Sequence, residues 1–375
     1  MDRNRLDIWT KDIVAGVLDL DRRVSLTRDE LESYKLRMLN KTLEEAQLKS
    51  PFYQERLLSV DLNGSNITKN REELEAEGKS LIRLDSLSEI EELPFTEPQD
   101  LEQAEYLICC IKPDSSTHLT SLSEKGRFGG NSRKVVFTNA ELSESAEFLY
   151  QGLSASLSEE DRVLILLPSR RPGSAGDLIR RAVEKIGGES VPYGPLDDEV
   201  LDWGIYLDLL NLEKVSSIIG PATQIASLAQ VAAGRREDRR YHELVYEVES
   251  RLKSVFLGGE LTSQRNYDTI REAWDCDIYE FYSRTEAGMG VAISLGAGDG
   301  EGGLFIREAD LLLEIVDPES GKVLPEGEEG EIVITTLRRN CTPLIRYRTG
   351  DMSRILPGEG SGTSVLKRLA PVRKR

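Results

Sequence analysis

The chain has 375 residues, 39% of them apolar, enough for one large or two ordinary globular domains with a sizeable core. Its 48 basic and 66 acidic side chains leave a formal net charge of −18, which repels a nucleic-acid backbone and an anionic membrane surface and argues against both as partners. No stretch approaches the roughly 20 apolar residues that span a bilayer, and the opening MDRNRLDIWTKD is too polar for a signal peptide, so a cytoplasmic protein is expected.

Thr27 followed by Glu30 is a capping-box pattern, and Leu31, Tyr34, Met38, Leu39, Leu43 and Ala46 recur at helical spacing until Ser50-Pro51 stops them, which predicts one long amphipathic helix. Between Asp61 and Asp100 the chain is polar with little periodicity and reads as short helices and loops. From Val163 the run VLILL meets PSRRPGSAG, then a helical stretch from Asp177 to Ile186, then Gly187-Gly188 and Val191. That order predicts a βαβ unit with parallel strands.

The pattern recurs as VSSIIG with a helix around Ile225 to Ala232, as SVFLGG with a helix through Arg271, and as DIYEFY. Strands alternating with helices define an α/β doubly wound core. After Gly290 the texture becomes β: LLLEIVD, a turn at Pro318 to Gly321, EIVITTL and a final LIRY. Short strands separated by Gly, Pro and Asp predict a smaller, largely antiparallel β subdomain with its lower boundary near residue 295.

Cys109, Cys110, Cys276 and Cys341, with only His118 and His242 beside them, lack C-x-x-C or H-x-E spacing; reduced, mostly buried thiols and no zinc site are expected. Three stretches carry possible chemistry. PSRRPGSAGD joins a strand to a helix start, where N–H groups and two arginines suit an anion; its glycines match no phosphate-loop pattern, and a tight strand-to-helix connection is the favoured account of them. Tyr282-Ser283-Arg284-Thr285-Glu286 follows an apolar strand, at the end that opens into the ligand crevice of α/β sheets. It offers an aromatic face for a base, a hydroxyl for phosphate and a carboxylate for Mg²⁺, or else is a polar exit from the strand. PLIRYRTGD ends at Asp351, whose carboxylate after a Thr-Gly turn suits a ribose diol or is an ordinary turn aspartate.

YSRTE and YRTGD, in that order with GEEGEIVITT between them, together resemble the aromatic-x-x-Thr-Glu and Tyr-x-Thr-Gly-Asp segments of adenylate-forming enzymes. SPFYQERL, LPFTEPQDL, READLLLEIVDPESG and TPLIRYRTGDMSR resemble phenylacetate-CoA ligases, and the likeness covers nearly the whole chain. LILLPSRRPGSAGDLIRRAVEKIGG is most similar to the subgroup related to synthetases that adenylate a deazaflavin cofactor.

This resemblance implies the α/β large N-terminal domain of the acyl-CoA synthetase fold, with parallel-rich sheets flanked by helices and a smaller antiparallel β subdomain. Residues 1–295 would form the helical N-terminal part and nucleotide core, and 296–375 the β subdomain ending at the interdomain hinge. The small domain with the catalytic lysine would lie outside the chain. The implied cofactors are ATP or AMP and Mg²⁺, with CoA as a possible acceptor. The implied partners are a small-molecule acid and a second copy in a homodimer, with a separate chain as one source of the missing domain. Residue by residue, Tyr282 would stack on adenine, Thr285 would contact the α-phosphate, Glu286 would ligate Mg²⁺ and Asp351 would hold the ribose hydroxyls. Gly258, Gly259 and Glu260 occupy the place of the adenine-side loop, and Arg375 that of the arginine beginning the hinge.

Two departures stand against this. The family's S-S-G-T-T-G-K-P phosphate loop is replaced by TSLSEKGRFGGNSRK at Thr120 to Lys134, where Glu124 adds charge worth on the order of 1 to 4 kcal/mol of repulsion toward phosphate. The catalytic lysine of the small domain, a main source of transition-state stabilisation, is the second. Two readings therefore follow: a ligase that activates a carboxylic acid, an aryl acid among the candidates, as its acyl-adenylate, or a catalytically impaired homologue that binds a nucleotide or partner.

Overall fold

The computed structural model describes residues 5–57, 60, 81–103, 108–110, 119–124, 133–194, 202–297, 302–358 and 364–375. The first long helix, Arg28–Lys49, begins as its sequence predicts. Thr27 Oγ1 accepts from Glu30 N–H, and the Glu30 carboxylate accepts from Thr27 N–H at 2.8 Å. Leu31, Tyr34, Leu39, Leu43 and Ala46 form its buried face. Ser50 then caps a short helix, Pro51–Arg56, with proline in its first turn. In the described part of the polar stretch, a 3₁₀ turn at Leu87–Glu92 and a helix at Pro98–Gln103 are joined by loops.

A hairpin of β1 (Leu119–Glu124) and β2 (Arg133–Thr138) leads into the helix Asn139–Leu153. The core follows: β3 (Arg162–Ile165), β4 (Glu189–Pro192), β5 (Ser217–Gly220), β6 (Ser254–Leu257) and β7 (Asp277–Arg284), all parallel. Helices Ala175–Ile186, Ala222–Arg235 and Gln264–Ala273 provide crossovers between them. SIIG and SVFL are buried at every position, the continuous apolar run of strands covered on both faces.

This sheet does not stop near residue 295. β8 (Met289–Ile293), β9 (Leu304–Ile306) and, from the far end of the chain, β13 (Arg368–Leu369) extend it antiparallel, giving the order β13-β9-β8-β7-β6-β5-β3-β4. The second sheet, β10 (Leu311–Val316), β11 (Gly330–Thr336), β12 (Tyr347–Ser353) and β14 (Arg373–Lys374), is wholly antiparallel.

The expectation of a strand at LIRY is corrected. Arg346 takes a left-handed φ of 49°, which turns the chain. Its buried guanidinium bonds Glu314 at 2.8 Å and the Glu91 and Leu93 carbonyls. The strand starts one residue later, so Thr349-Gly350 lies within β12 and is not a turn. Gly350, at φ +70°, accommodates the irregular register opposite Glu331 to Val333. The segments SPFYQERL and LPFTEPQDL brace this strand. Thr96 forms a parallel bridge with Tyr347, and the Tyr53 hydroxyl meets Thr96 Oγ1 and the Pro343 carbonyl, each at 3.1 Å.

Candidate functional site

Two motifs 69 residues apart converge. The Tyr282 hydroxyl, on β7, donates to Asp351 Oδ2, on β12, at 2.8 Å. Both side chains are buried, and burial followed by the Asp351 charge pushes the Tyr282 phenol well above its ordinary range. The Tyr282 ring packs in a small core with Ala287, Val291, Leu304 and Leu311. Asp351 is engaged on both oxygens: Arg284 Nη1 lies 3.3 Å from Oδ2, and Lys374 Nζ, from the neighbouring strand β14, lies 2.7 Å from Oδ1.

Arg284 joins the two motifs. Its Nη2 donates to the Thr349 carbonyl at 3.1 Å, and its Nε stands 3.6 Å from Glu286 Oε2. Burial alone would lower its pKa, but Glu286, Tyr282 and Asp351 raise it above the ordinary arginine value. Glu286 is fully buried, and its Oε1 accepts from the Tyr347 hydroxyl at 2.9 Å. Its backbone carbonyl accepts from Arg339, a guanidinium brought down to about 10 by burial, with Arg307 adding to the effect and Glu141 opposing it.

These contacts decide whether Glu286 suits a divalent cation. Mg²⁺ requires an accessible oxygen at about 2.1 Å and several retained waters. Here the carboxylate is enclosed, one oxygen holds a phenol proton and the other faces a guanidinium. A divalent ion about 4 Å from that guanidinium meets repulsion on the order of 2 kcal/mol in a water-like dielectric and 8 kcal/mol at an effective value of 20. In this arrangement Glu286 does not fit the metal-ligand role.

Thr285 is half-buried just past β7, and its carbonyl accepts from Gly288 N–H at 3.1 Å. Gly258 and Gly259 follow β6, whose Leu257 pairs with Glu280 of β7, so they sit beside the strand end that carries Tyr282. A β-carbon on Gly258 would meet the Phe281 ring at 2.2 Å, and Gly259 has a φ of +83°. Backbone, rather than side chain, thus forms this edge of the site. Glu260 turns elsewhere: its carboxylate accepts from Thr223 N–H at 2.6 Å and Thr223 Oγ1 at 2.5 Å, at the start of helix Ala222–Arg235.

Arg375 is exposed, and its charge helps to lower the pKa of Asp317, after hydrogen bonds from Ser320. The cation brought to Asp351 is its neighbour Lys374. Of the stretch Thr120 to Lys134, expected to stand in the place of a phosphate loop, residues 125–132 lie outside the described residues.

PSRRPGSAGD behaves as a tight connection. A β-carbon on Gly176 would lie 2.5 Å from the Leu167 carbonyl, and Asp177 accepts from Gly173 N–H at 2.8 Å while pairing with Arg180 and Arg181. Arg170 and Arg171 are exposed. Three of the four cysteines are buried and Cys276 is half-buried; none is joined in a disulfide, and Cys109 Sγ lies 3.2 Å from Cys341 Sγ. Sequence reasoning assigned no role to Arg284, Tyr347 and Lys374. Arg284 alone left a signal, a charge directly after an apolar strand core, but nothing local identified its partners.

The fold is that of the acyl-CoA ligases. A crystal structure of a 2-hydroxyisobutyryl-CoA ligase in an open conformation, in complex with 2-HIB-AMP and CoA, superposes on 94% of this chain and 72% of its own, with a TM-score of 0.71 at 20% identity. Residues 185–337 match the AMP-binding enzyme family.

Among curated proteins, the chain is 37% identical over 106 residues to phenylacetate-coenzyme A ligase of Aromatoleum evansii, covering 28% of this chain and 24% of the relative. The Escherichia coli K12 protein of the same name is 35% identical over 107 residues, again covering 28% and 24%. The matched stretch thus spans about a quarter of these relatives' length. No helix among the described residues is long and apolar enough to cross a membrane.

Proposed function

We propose that this chain binds adenine nucleotide between β7 and β12 and activates a small carboxylic acid as its acyl-adenylate, for transfer to CoA or another acceptor. The observation that carries the reading is the 2.8 Å contact between Tyr282 and Asp351, which unites the two motifs within a fold shared with acyl-CoA ligases. In the reaction, an acid carboxylate oxygen attacks the α-phosphorus of ATP, and the bond to pyrophosphate breaks.

Such chemistry asks a protein mainly for alignment of the oxygens and neutralisation of charge. Tyr282 supplies the base-side surface, Asp351 accepts from the ribose hydroxyls, and Thr285 approaches the α-phosphate. For the ribose to reach Asp351, the Tyr282 and Lys374 contacts must yield. The substrate is an acid of aryl or acyl type; an arylacetate and a deazaflavin-like acid are two candidates within that class.

The test is ATP–pyrophosphate exchange across a panel of aryl and acyl acids, with calorimetry of AMP binding alongside. Exchange with at least one acid and AMP affinity that falls at least tenfold in Asp351→Asn are expected. Silence across the panel with AMP still bound would leave a nucleotide-binding module, and no AMP binding by the folded chain would overturn the reading.

A further inference from the structure

We infer that Arg284 takes the place of a divalent cation at Glu286, so that this chain holds its nucleotide without a metal on that carboxylate. The inference rests on the proposed nucleotide site but concerns only how the site's own charges are balanced. Glu286 and Asp351 contribute two negative charges and Arg284 and Lys374 two positive ones, linked in a chain of ion pairs that runs Glu286–Arg284–Asp351–Lys374. The cluster is neutral before anything binds.

Arg284 is placed for this by covalent and strand geometry. It lies two residues before Glu286 at the end of β7, and it reaches β12 through the Thr349 carbonyl and Asp351. A guanidinium has donors fixed in one plane, so it can face two carboxylates and a carbonyl at once without rearrangement. Only 11% of its side chain is exposed, and Tyr347 closes the other side of Glu286. A metal would have to displace the arginine and enter a space that the fold has filled. The arginine supplies one positive charge where Mg²⁺ supplies two, which matches one carboxylate apiece for Arg284 and Lys374.

Mn²⁺, as a paramagnetic stand-in for Mg²⁺, tests this without nucleotide, so the result does not depend on the ligase reading; AMP calorimetry decides that separately. Free Mn²⁺ is measured by electron paramagnetic resonance on the full chain and on Arg284→Gln, Glu286→Gln, and Arg284→Gln with Glu286→Gln. The wild type should bind Mn²⁺ no better than Glu286→Gln. Arg284→Gln should gain a site at least tenfold tighter, which the double variant loses. Arg284→Lys, which keeps the charge, should behave as wild type. Arg284→Met replaces the glutamine variant if that fails to fold. A wild-type site lost in Glu286→Gln would overturn the inference, as would a folded, charge-removed variant that gains nothing.

Discussion

Gly258 follows β6 and lies against the Phe281 ring, and the space for even one methyl is missing: the ideal β-carbon comes within 2.4 Å of three ring atoms. Phe281 is itself buried in the main core, so the ring cannot swing away freely. Gly258→Ala is expected to lower unfolding stability by about 1 to 3 kcal/mol, the usual cost of overpacking, read as a shifted urea midpoint at unchanged slope. Gly358, with no atom within 4 Å of its β-carbon position, is the control. Alanine there should stay within about 0.5 kcal/mol of wild type. The same closeness of backbone to ring was legible in the sequence only as a Gly-Gly pair after an apolar strand. Glu260 was not, because its partner Thr223 is 37 residues away on another element.

At the scale of elements, local sequence was a good guide wherever caps and periodicity agreed. Helix Arg28–Lys49 has its capping box at Thr27 and Glu30, and helix Ala175–Ile186 ends on Gly187 at φ +97°, the left-handed residue that commonly terminates helices. Thr27→Ala should cost about 1 kcal/mol, measured by thermal or denaturant unfolding. If the loss is absent, the box is not contributing. β12 is the opposite case. LIRY has the apolar look of a strand, yet Arg346 leaves the strand conformation to place its guanidinium on Glu314. A buried ion pair outweighed the local preference, since either charge left alone in the core is expensive.

Across the molecule, Glu308 ties the helix Arg28–Lys49 to both ends of the β region. It accepts from Arg28 at 2.9 Å, from Lys35, and from Lys367 N–H at 2.7 Å. Burial would raise its pKa, but Lys35 and Arg28 outweigh that and hold it at about 2. A carboxyl depressed on folding stabilises the protein above its unfolded pKa and loses that contribution as pH falls. For Glu308 the window runs from about 4.5 down to about 2, worth on the order of 3 kcal/mol. Unfolding stability of the wild type should therefore drop through this range. Glu308→Gln should start lower at neutral pH, by about 3 to 5 kcal/mol for the stranded Lys35 charge, with an acid limb shallower by one proton. Equal limbs in the two proteins would sink the assignment.

The sequence by itself determined what depends on neighbours along the chain. The capped helix, the fully apolar parallel strands with their crossovers, and the placing of Tyr282 at the end of an apolar strand follow from period, propensity and glycine placement; the strand conformation of Thr349-Gly350 does not. Only the tertiary structure decided which charges meet. Arg284, Tyr347 and Lys374 converge on Glu286 and Asp351 because two sheets bring β7, β12 and β14 together. Whether Glu286 has room for a metal depends on that burial and pairing, quantities that exist only once distant segments have packed.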